Sequence, residues 1–337
     1  MNSRSLPTFI KVGAAAIALI APVFLPDFLL FEVCIALSYS IAVLGLNLLM
    51  GFAGQICLAQ GALFGFGAYV TAYLNAEFGL SPYWTLPAAA VLTAAAGLAV
   101  GLPALRLQGL QLAIITFGIA AAFPQALLKF DWLTGGVSGL PIDSLETPAP
   151  FAGRPELWLY LVTVACAGVA VLLVSLVLFG DTGRTLRAQR DNAQIAEALG
   201  VNLTKVRLWA FGISSALAGL GGGVFAILNG FISPQSFLAA VSINIVIASI
   251  VGGTTTITGA FIGGLFIVFV PTWTSDINLA LGNVIYGLAL IGVMMISGNG
   301  VVGLVKKLVC GMLQTTSGNV PSLKSIQGRK QWIALRK

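Results

Sequence analysis

Residues 159–179 read LYLVTVACAGVAVLLVSLVLF, with no charged side chain anywhere in the run. At a rise of about 1.5 Å per residue, such a run is long enough as a helix to cross a hydrocarbon layer about 30 Å thick. Residues 284–296 (VIYGLALIGVMMI) are apolar on every face in the same way, whereas a barrel strand alternates apolar and polar residues. Further apolar runs flank these two, separated by short polar breaks. The pattern predicts spans at 9–25, 29–50, 58–75, 84–104, 110–129, 157–179, 204–229, 237–252, 258–274 and 281–297. The expected fold is an all-α polytopic membrane protein of about ten transmembrane helices (8–10).

Composition agrees. Of 337 residues, 58% are hydrophobic and 8% charged, against about 25% charged in a soluble domain. Arg4 and Lys11 ahead of the apolar stretch 12–25 have the outline of a secretory signal. Pro26 and Asp27 follow without a small-x-small cleavage site, so an uncleaved first helix is expected.

With the N-terminus inside, one side of the membrane collects Arg4, Lys11, Arg106, Arg184, Arg187, Arg190, Lys205, Arg207 and every Lys and Arg from 306 to 337. The other side keeps only Lys129 and Arg154. This bias places both termini in the cytoplasm and needs six spans before residue 180. Asp27, Glu32, Glu77, Asp131, Asp143, Glu146, Glu156 and Asp276 fall on the outer side. Residues 306–337 form a basic cytoplasmic tail after the transmembrane domain 1–305. The net charge of +6 sits between spans and in this tail, without an aromatic platform, so no nucleic acid is expected as a partner; the lipid bilayer is.

Absences narrow the mechanism. Cys34, Cys57, Cys166 and Cys310 are scattered and histidine is missing, so no metal site or His-based catalysis is expected. Span interiors hold essentially no ionisable residue, Glu32 being nearest to an exception, which argues against ion coupling. There is no G-x-x-x-x-G-K-[ST] loop, so energy for pumping would come from a partner. Gly61 with Gly65, Gly219 with Gly223, and Gly259 with Gly263 have helix-packing spacing; close packing and pathway lining both remain open for them.

Residues 182–200, TGRTLRAQRDNAQIAEALG, form the most polar stretch between the first span and the tail. Thr182 can cap a helix there, Gly200 can stop it, and Arg187 with Asp191 has i, i+4 spacing. Leu186, Ala193, Ala196 and Leu199 fall near one face. A membrane-surface helix favours Trp, Phe or Leu on that face, so these alanines point to docking in a protein groove.

Residues 183–229 closely resemble the permease subunits of branched-chain amino-acid ATP-binding-cassette importers, the longer of their two permease types. Residues 51–69 (GFAGQICLAQGALFGFGAY), 105–117 (LRLQGLQLAIITF), 133–140 (LTGGVSGL), 251–264 (VGGTTTITGAFIGG) and the span near Tyr286 to Met295 follow in the family's order. The resemblance implies a bacterial inner-membrane subunit, not itself an enzyme, that binds no cofactor. Its expected partners are a second homologous permease, two cytoplasmic ATPase subunits that bind ATP, and a periplasmic substrate-binding protein. Its cargo would be branched-chain amino acids or a related small polar solute such as urea, an amide or an aromatic acid.

On this resemblance 182–200 is the coupling helix, with Gly183, Arg184, Arg187, Asp191, Asn192, Ala196, Glu197 and Gly200 matching the motif that meets the ATPases. Thr134, Gly135, Gly136, Ser138 and Gly139, in the periplasmic loop 130–156, match the outer-face motif expected to receive the binding protein; a turn re-entering the bundle is the other reading. Gly54, Gln55 and Gln60 are expected along the pathway, although polar side chains inside bundles also serve to bond helices. Cys57 stands where the family commonly has Ser, Ala59 where it has Gly, and 297–304 read SGNGVVGL instead of Phe-x-Pro-x-Gly-Leu. Those departures bear on substrate more than on class. A stand-alone transporter or channel for a small neutral solute is the alternative.

Overall fold

The structure is a computed structural model describing residues 26–104, 109–143, 145, 147–148, 153–277, 287–288, 290–292, 295 and 300–303. The expected span 9–25, Arg106, Glu146, Cys310 and the tail 306–337 lie outside the described residues, as does most of span 281–297, whose described residues are helical. In chain order the helices are α1 (Asp27–Leu46, continued by a π-helical turn Asn47–Phe52), α2 (Gln60–Phe78), α3 (Pro82–Ala104), α4 (Leu110–Lys129), α5 (Asp131–Thr134), α6 (Pro155–Phe179), α7 (Asp181–Asp191), α8 (Ala193–Ala198), α9 (Leu203–Asn229), α10 (Ala239–Gly252) and α11 (Ile257–Ile277). Six of these, α1 with its π turn, α3, α4, α6, α9 and α11, are long and apolar enough to cross a membrane. The chain is an all-α polytopic membrane protein.

α9 is the axis of the bundle because its small residues admit three neighbours at once. Gly219 lies against Thr93 and Ala89 of α3, Gly221 against Ser38 of α1, and Gly222 against the Phe64 backbone of α2. Where lipid is as apolar as any side chain, such close approach supplies the packing that a hydrophobic effect cannot. The other glycines of the predicted pairs also sit at close contacts: Gly61 against Ser242, Gly65 against Phe123 and Phe237, Gly223 against Thr71 and Leu86, Gly259 against Gly252, and Gly263 against Ala248. α6 is peripheral. Its buried stripe, Tyr160, Thr163, Ala167, Ala170, Val174 and Leu178, has a spacing of three or four, while Leu172, Leu173, Leu176 and Phe179 face outward.

Two ends result, and charge distinguishes them. Arg184, Arg187, Arg190, Lys205 and Arg207 gather around α7 and the start of α9, the arginine-rich end. At the opposite end lie Lys129 and Arg154 with Asp27, Glu77, Asp131, Asp143 and Glu156, the acidic end.

The single helix expected over 182–200 is two. Asn192 adopts an extended conformation (φ −158°, ψ 102°), ending α7, and its Oδ1 accepts from the Ile195 N–H at 3.1 Å to cap α8. Asn is among the strongest N-cap residues, so its side chain outcompetes helix continuation. The cap position of α7 is Gly180, with Thr182 inside the first turn.

The glycine crossings predict a directional effect. Gly222→Ala places a methyl group into the Phe64 carbonyl and should destabilise by about 1–3 kcal/mol, as overpacking does. Gly168→Ala in α6, with nothing within 4 Å of the added carbon, should not. Thermal unfolding of the two variants in detergent checks this: a lower midpoint for the first and an unchanged midpoint for the second.

Candidate functional site

Between Phe52 and Gln60 the chain abandons helical structure while still inside the bundle. The π turn bonds Ala53 N–H to the Leu48 carbonyl (3.1 Å) and Gln55 N–H to that of Leu49 (2.9 Å), after which Gly54–Ala59 is non-helical. Backbone groups at membrane depth need partners, and irregular segments persist there only when protein or a watery cavity supplies them. Here Thr116 of α4 accepts the Leu58 N–H at 2.9 Å. Gln60, which starts α2, is wholly buried; its Nε2 donates to the Ala42 carbonyl (3.1 Å) and the Ser214 carbonyl (3.3 Å), and its Oε1 accepts from Ser214 Oγ (3.3 Å). Ala42 and Ser214 are each roughly ten residues from the arginine-rich ends of their helices, about 15 Å at the helical rise. α2 therefore begins deep in the bundle, and Gln60 fastens three helices there.

Gly54 and Gln55 are nearer the arginine-rich end. They line a cleft of about 140 Å³ with Ala53, Gly109, Leu112, Gln189, Arg190, Ala193 and Arg207. Gln55 Oε1 and Gln189 Oε1 are buried without a hydrogen-bond partner among the described residues. The three pathway candidates thus divide: Gly54 and Gln55 border a cleft, and Gln60 is bonded into the bundle.

The eight candidates on α7 and α8 also divide. Gly183 packs against the Leu178 backbone, and its carbonyl accepts from Arg187 Nε at 3.0 Å. Arg187 Nη2 reaches the Leu178 carbonyl at 2.8 Å, satisfying the end of α6. Arg187 is therefore committed to the backbone, and the expected pair with Asp191 is replaced by Asp191 beside Arg190 at 3.9 Å, exposed. Arg184 pairs with Asp181 at 3.4 Å, also exposed. Ala196 is buried. Gly200 has φ +86°, Val201 N–H bonds the Ala196 carbonyl (3.0 Å) and Gly200 N–H that of Glu197 (2.9 Å), the double bond of a Schellman stop. Leu199, expected on the contact face with Leu186, is exposed instead, as are Ile195 and Glu197.

At the acidic end the Gly-rich motif builds a turn. Thr134 Oγ1 donates to the Leu127 carbonyl (2.6 Å), with the Phe130 carbonyl also within reach at 3.0 Å, and Gly135 fits against Gly139. Gly139 leads into a two-residue antiparallel ladder, β1 (Leu140–Pro141) with β2 (Phe231–Ile232). Asp143 N–H then bonds Asn75 Oδ1 at 2.9 Å. Thr134, Gly136 and Gly139 are buried in this turn and Gly135 is half-buried; Ser138 is exposed beside Val137, and Trp132 is exposed at the start of the turn.

Residues 29–297, which contain the helix break, α7, α8 and the outer turn, match the family described as branched-chain amino acid transport system / permease component, and the chain belongs to that family. Among curated proteins it is 35% identical over 239 residues to the high-affinity branched-chain amino acid transport system permease protein LivM of Salmonella typhimurium, covering 64% of this chain and 56% of that one. LivM of Escherichia coli is 33% identical over 243 residues, 65% of this chain and 57% of the relative. The autoinducer 2 import system permease protein LsrC of Yersinia enterocolitica is 35% identical over 187 residues, 49% of this chain and 48% of the relative. The chain thus spans about half the length of these relatives. No solved structure matches it.

Thr134 offers a local test of the outer turn. Thr134→Val removes the hydroxyl that reaches the end of α4 and should cost about 1 kcal/mol, a typical net value for one hydrogen bond, while Thr134→Ser should retain it. Hydrogen exchange over residues 127–140 is the readout, expected to quicken in the valine variant only.

Proposed function

We propose that this chain is the transmembrane subunit of an ATP-binding-cassette importer in the bacterial inner membrane. It moves branched-chain amino acids, or a related small polar solute such as urea, an amide or an aromatic acid, into the cytoplasm. It works beside a second homologous permease, two ATPase subunits that bind and hydrolyse ATP, and a periplasmic substrate-binding protein. Both termini lie in the cytoplasm with the arginine-rich end, and about ten helices cross the membrane. Family membership and the positive-inside bias support this reading.

The observation that carries it is the form of the α7–α8 pair. Gly183, Arg187 and Ala196 hold it to the bundle, while Arg184, Asp191, Glu197, Ile195 and Leu199 are left facing outward. A polar pair rigidly mounted on α6, yet showing apolar side chains to solution, has the form of a docking element for a cytoplasmic subunit. Asn192 and Gly200 shape it by setting the bend and the stop. At the other end, Ser138 with Trp132 and Val137 offers the surface for the binding protein, and the buried glycines hold that turn in place. Solute passes the helix break, where Gly54 and Gln55 border the cleft and Gln60 anchors the start of α2.

Reconstitution with the partner subunits tests the proposal. Uptake should require ATP, the ATPases and the binding protein, and Glu197→Arg or Gly200→Pro should lower it at least tenfold without reducing the amount of chain in the membrane. Uptake by this chain alone, independent of ATP, would instead establish the channel alternative.

A further inference from the structure

Two side chains of α7 that the sequence motif did not single out reach into the helix break. Gln189 Nε2 donates to the Ala53 carbonyl at 3.2 Å and Arg190 Nη1 to the Gly51 carbonyl at 2.6 Å. Gln189 is almost wholly buried in making its bond. Gly54 is pressed against the same arginine, a Cβ built on it falling 3.0 Å from Arg190 Cγ and 3.4 Å from its Cβ. Neither carbonyl belongs to a completed α-helical ladder, because the π turn ends there, so α7 supplies partners that the break itself lacks.

The same stretch is also held by α10 and the turn after it. Asn47 Nδ2 donates to the Thr256 carbonyl at 3.2 Å, Asn47 Oδ1 accepts from Ser249 Oγ at 2.6 Å, and Gly51 lies against Thr254. Residues 47–55 are thus bonded both to α10 with its following turn and to α7.

We infer that Gln189 and Arg190 are positioning residues that latch α7 to residues 51–54, so that α7 and the helix break move as one body and a displacement of α7 is delivered to the cleft at Gly54 and Gln55. The inference rests on the importer reading and adds the route by which motion at the ATPase side reaches the pathway. A charge-assisted bond and a neutral one, made to carbonyls two residues apart, resist both sliding and separation.

The test uses the assembled importer in liposomes and reads solute molecules transported per ATP hydrolysed, a ratio that loss of folded protein does not change. Gln189→Ala with Arg190→Ala should lower this ratio at least tenfold. Gly54→Cys with Arg190→Cys, in a background where the native cysteines are Ser, places two thiols at a Cβ separation close to the roughly 3.5–4.5 Å of a disulfide. Reduced, that pair should be uncoupled. Oxidised, with two electrons and two protons passing to an added oxidant, it should regain at least half the ratio of Gly54→Cys alone, the control for a side chain at φ +70°. An unchanged ratio in the double alanine variant, or oxidation that fails to restore coupling, overturns the latch. Absence of ATP-driven uptake by the wild-type assembly overturns the importer reading itself, and the latch's role in transport with it.

Discussion

A backbone amide inside a membrane bundle must be hydrogen-bonded, and residues 53–59 leave the helix there. Much of the interior polarity in this protein follows from that constraint. Thr116 accepts the Leu58 amide. Gln60 spends both ends of its side chain on α1 and α9. Asn47 is satisfied from α10 and the turn beyond it. Where the break meets the arginine-rich end, Gln189 and Arg190 complete it. Leaving any one of these groups buried and unpartnered costs about 1–3 kcal/mol, which is why so many side chains from distant parts of the chain converge on one short segment.

The glycines of α9 are the complementary condition. Gln60 can reach the carbonyls of both Ala42 and Ser214 only if α1, α2 and α9 approach closely, and Gly45 meeting Ser214, with Gly221 meeting Ser38, keeps α1 and α9 near enough. Packing and polarity are therefore one arrangement seen twice. Toward the acidic end the contacts become aromatic: Tyr39 stacks on Phe64 at 5.2 Å, and Phe225 and Phe237 close around them. The polar, irregular part of the interior thus opens toward the arginine-rich end, and the tightly packed aromatic part lies beyond it.

Six of the expected spans were legible because hydrophobic length is a one-dimensional signal, whereas the stretches expected as spans 58–75 and 237–252 form α2 and the 14-residue α10, which are not among the six long apolar helices. Expected span 110–129 coincides with α4, and 157–179 and 204–229 differ from α6 and α9 by a residue or two. The small-residue pairs, which the sequence leaves open between close packing and pathway lining, sit at close contacts. What the sequence did not reveal depended on partners far along the chain. Nothing local marks Asn47–Phe52 as a π turn or Gln189 as the partner of Ala53, 136 residues away. The i, i+4 spacing of Arg187 and Asp191 pointed to the wrong partner because the end of α6, with its unsatisfied carbonyl at Leu178, lies closer. The bend at Asn192 did carry a local signal, an Asn followed by a helix-forming AQIAEA, which a continuous amphipathic reading passed over.

The latch, the cleft and the α7–α8 surface have their assigned roles only if the arginine-rich end is cytoplasmic. Labelling of single cysteines by a membrane-impermeant maleimide, in a background where the native cysteines are Ser, decides it directly. In inside-out vesicles Leu199→Cys should label and Val137→Cys should not, with the reverse in right-side-out vesicles. Labelling of both positions from one side, or of each from the opposite side, would contradict the account.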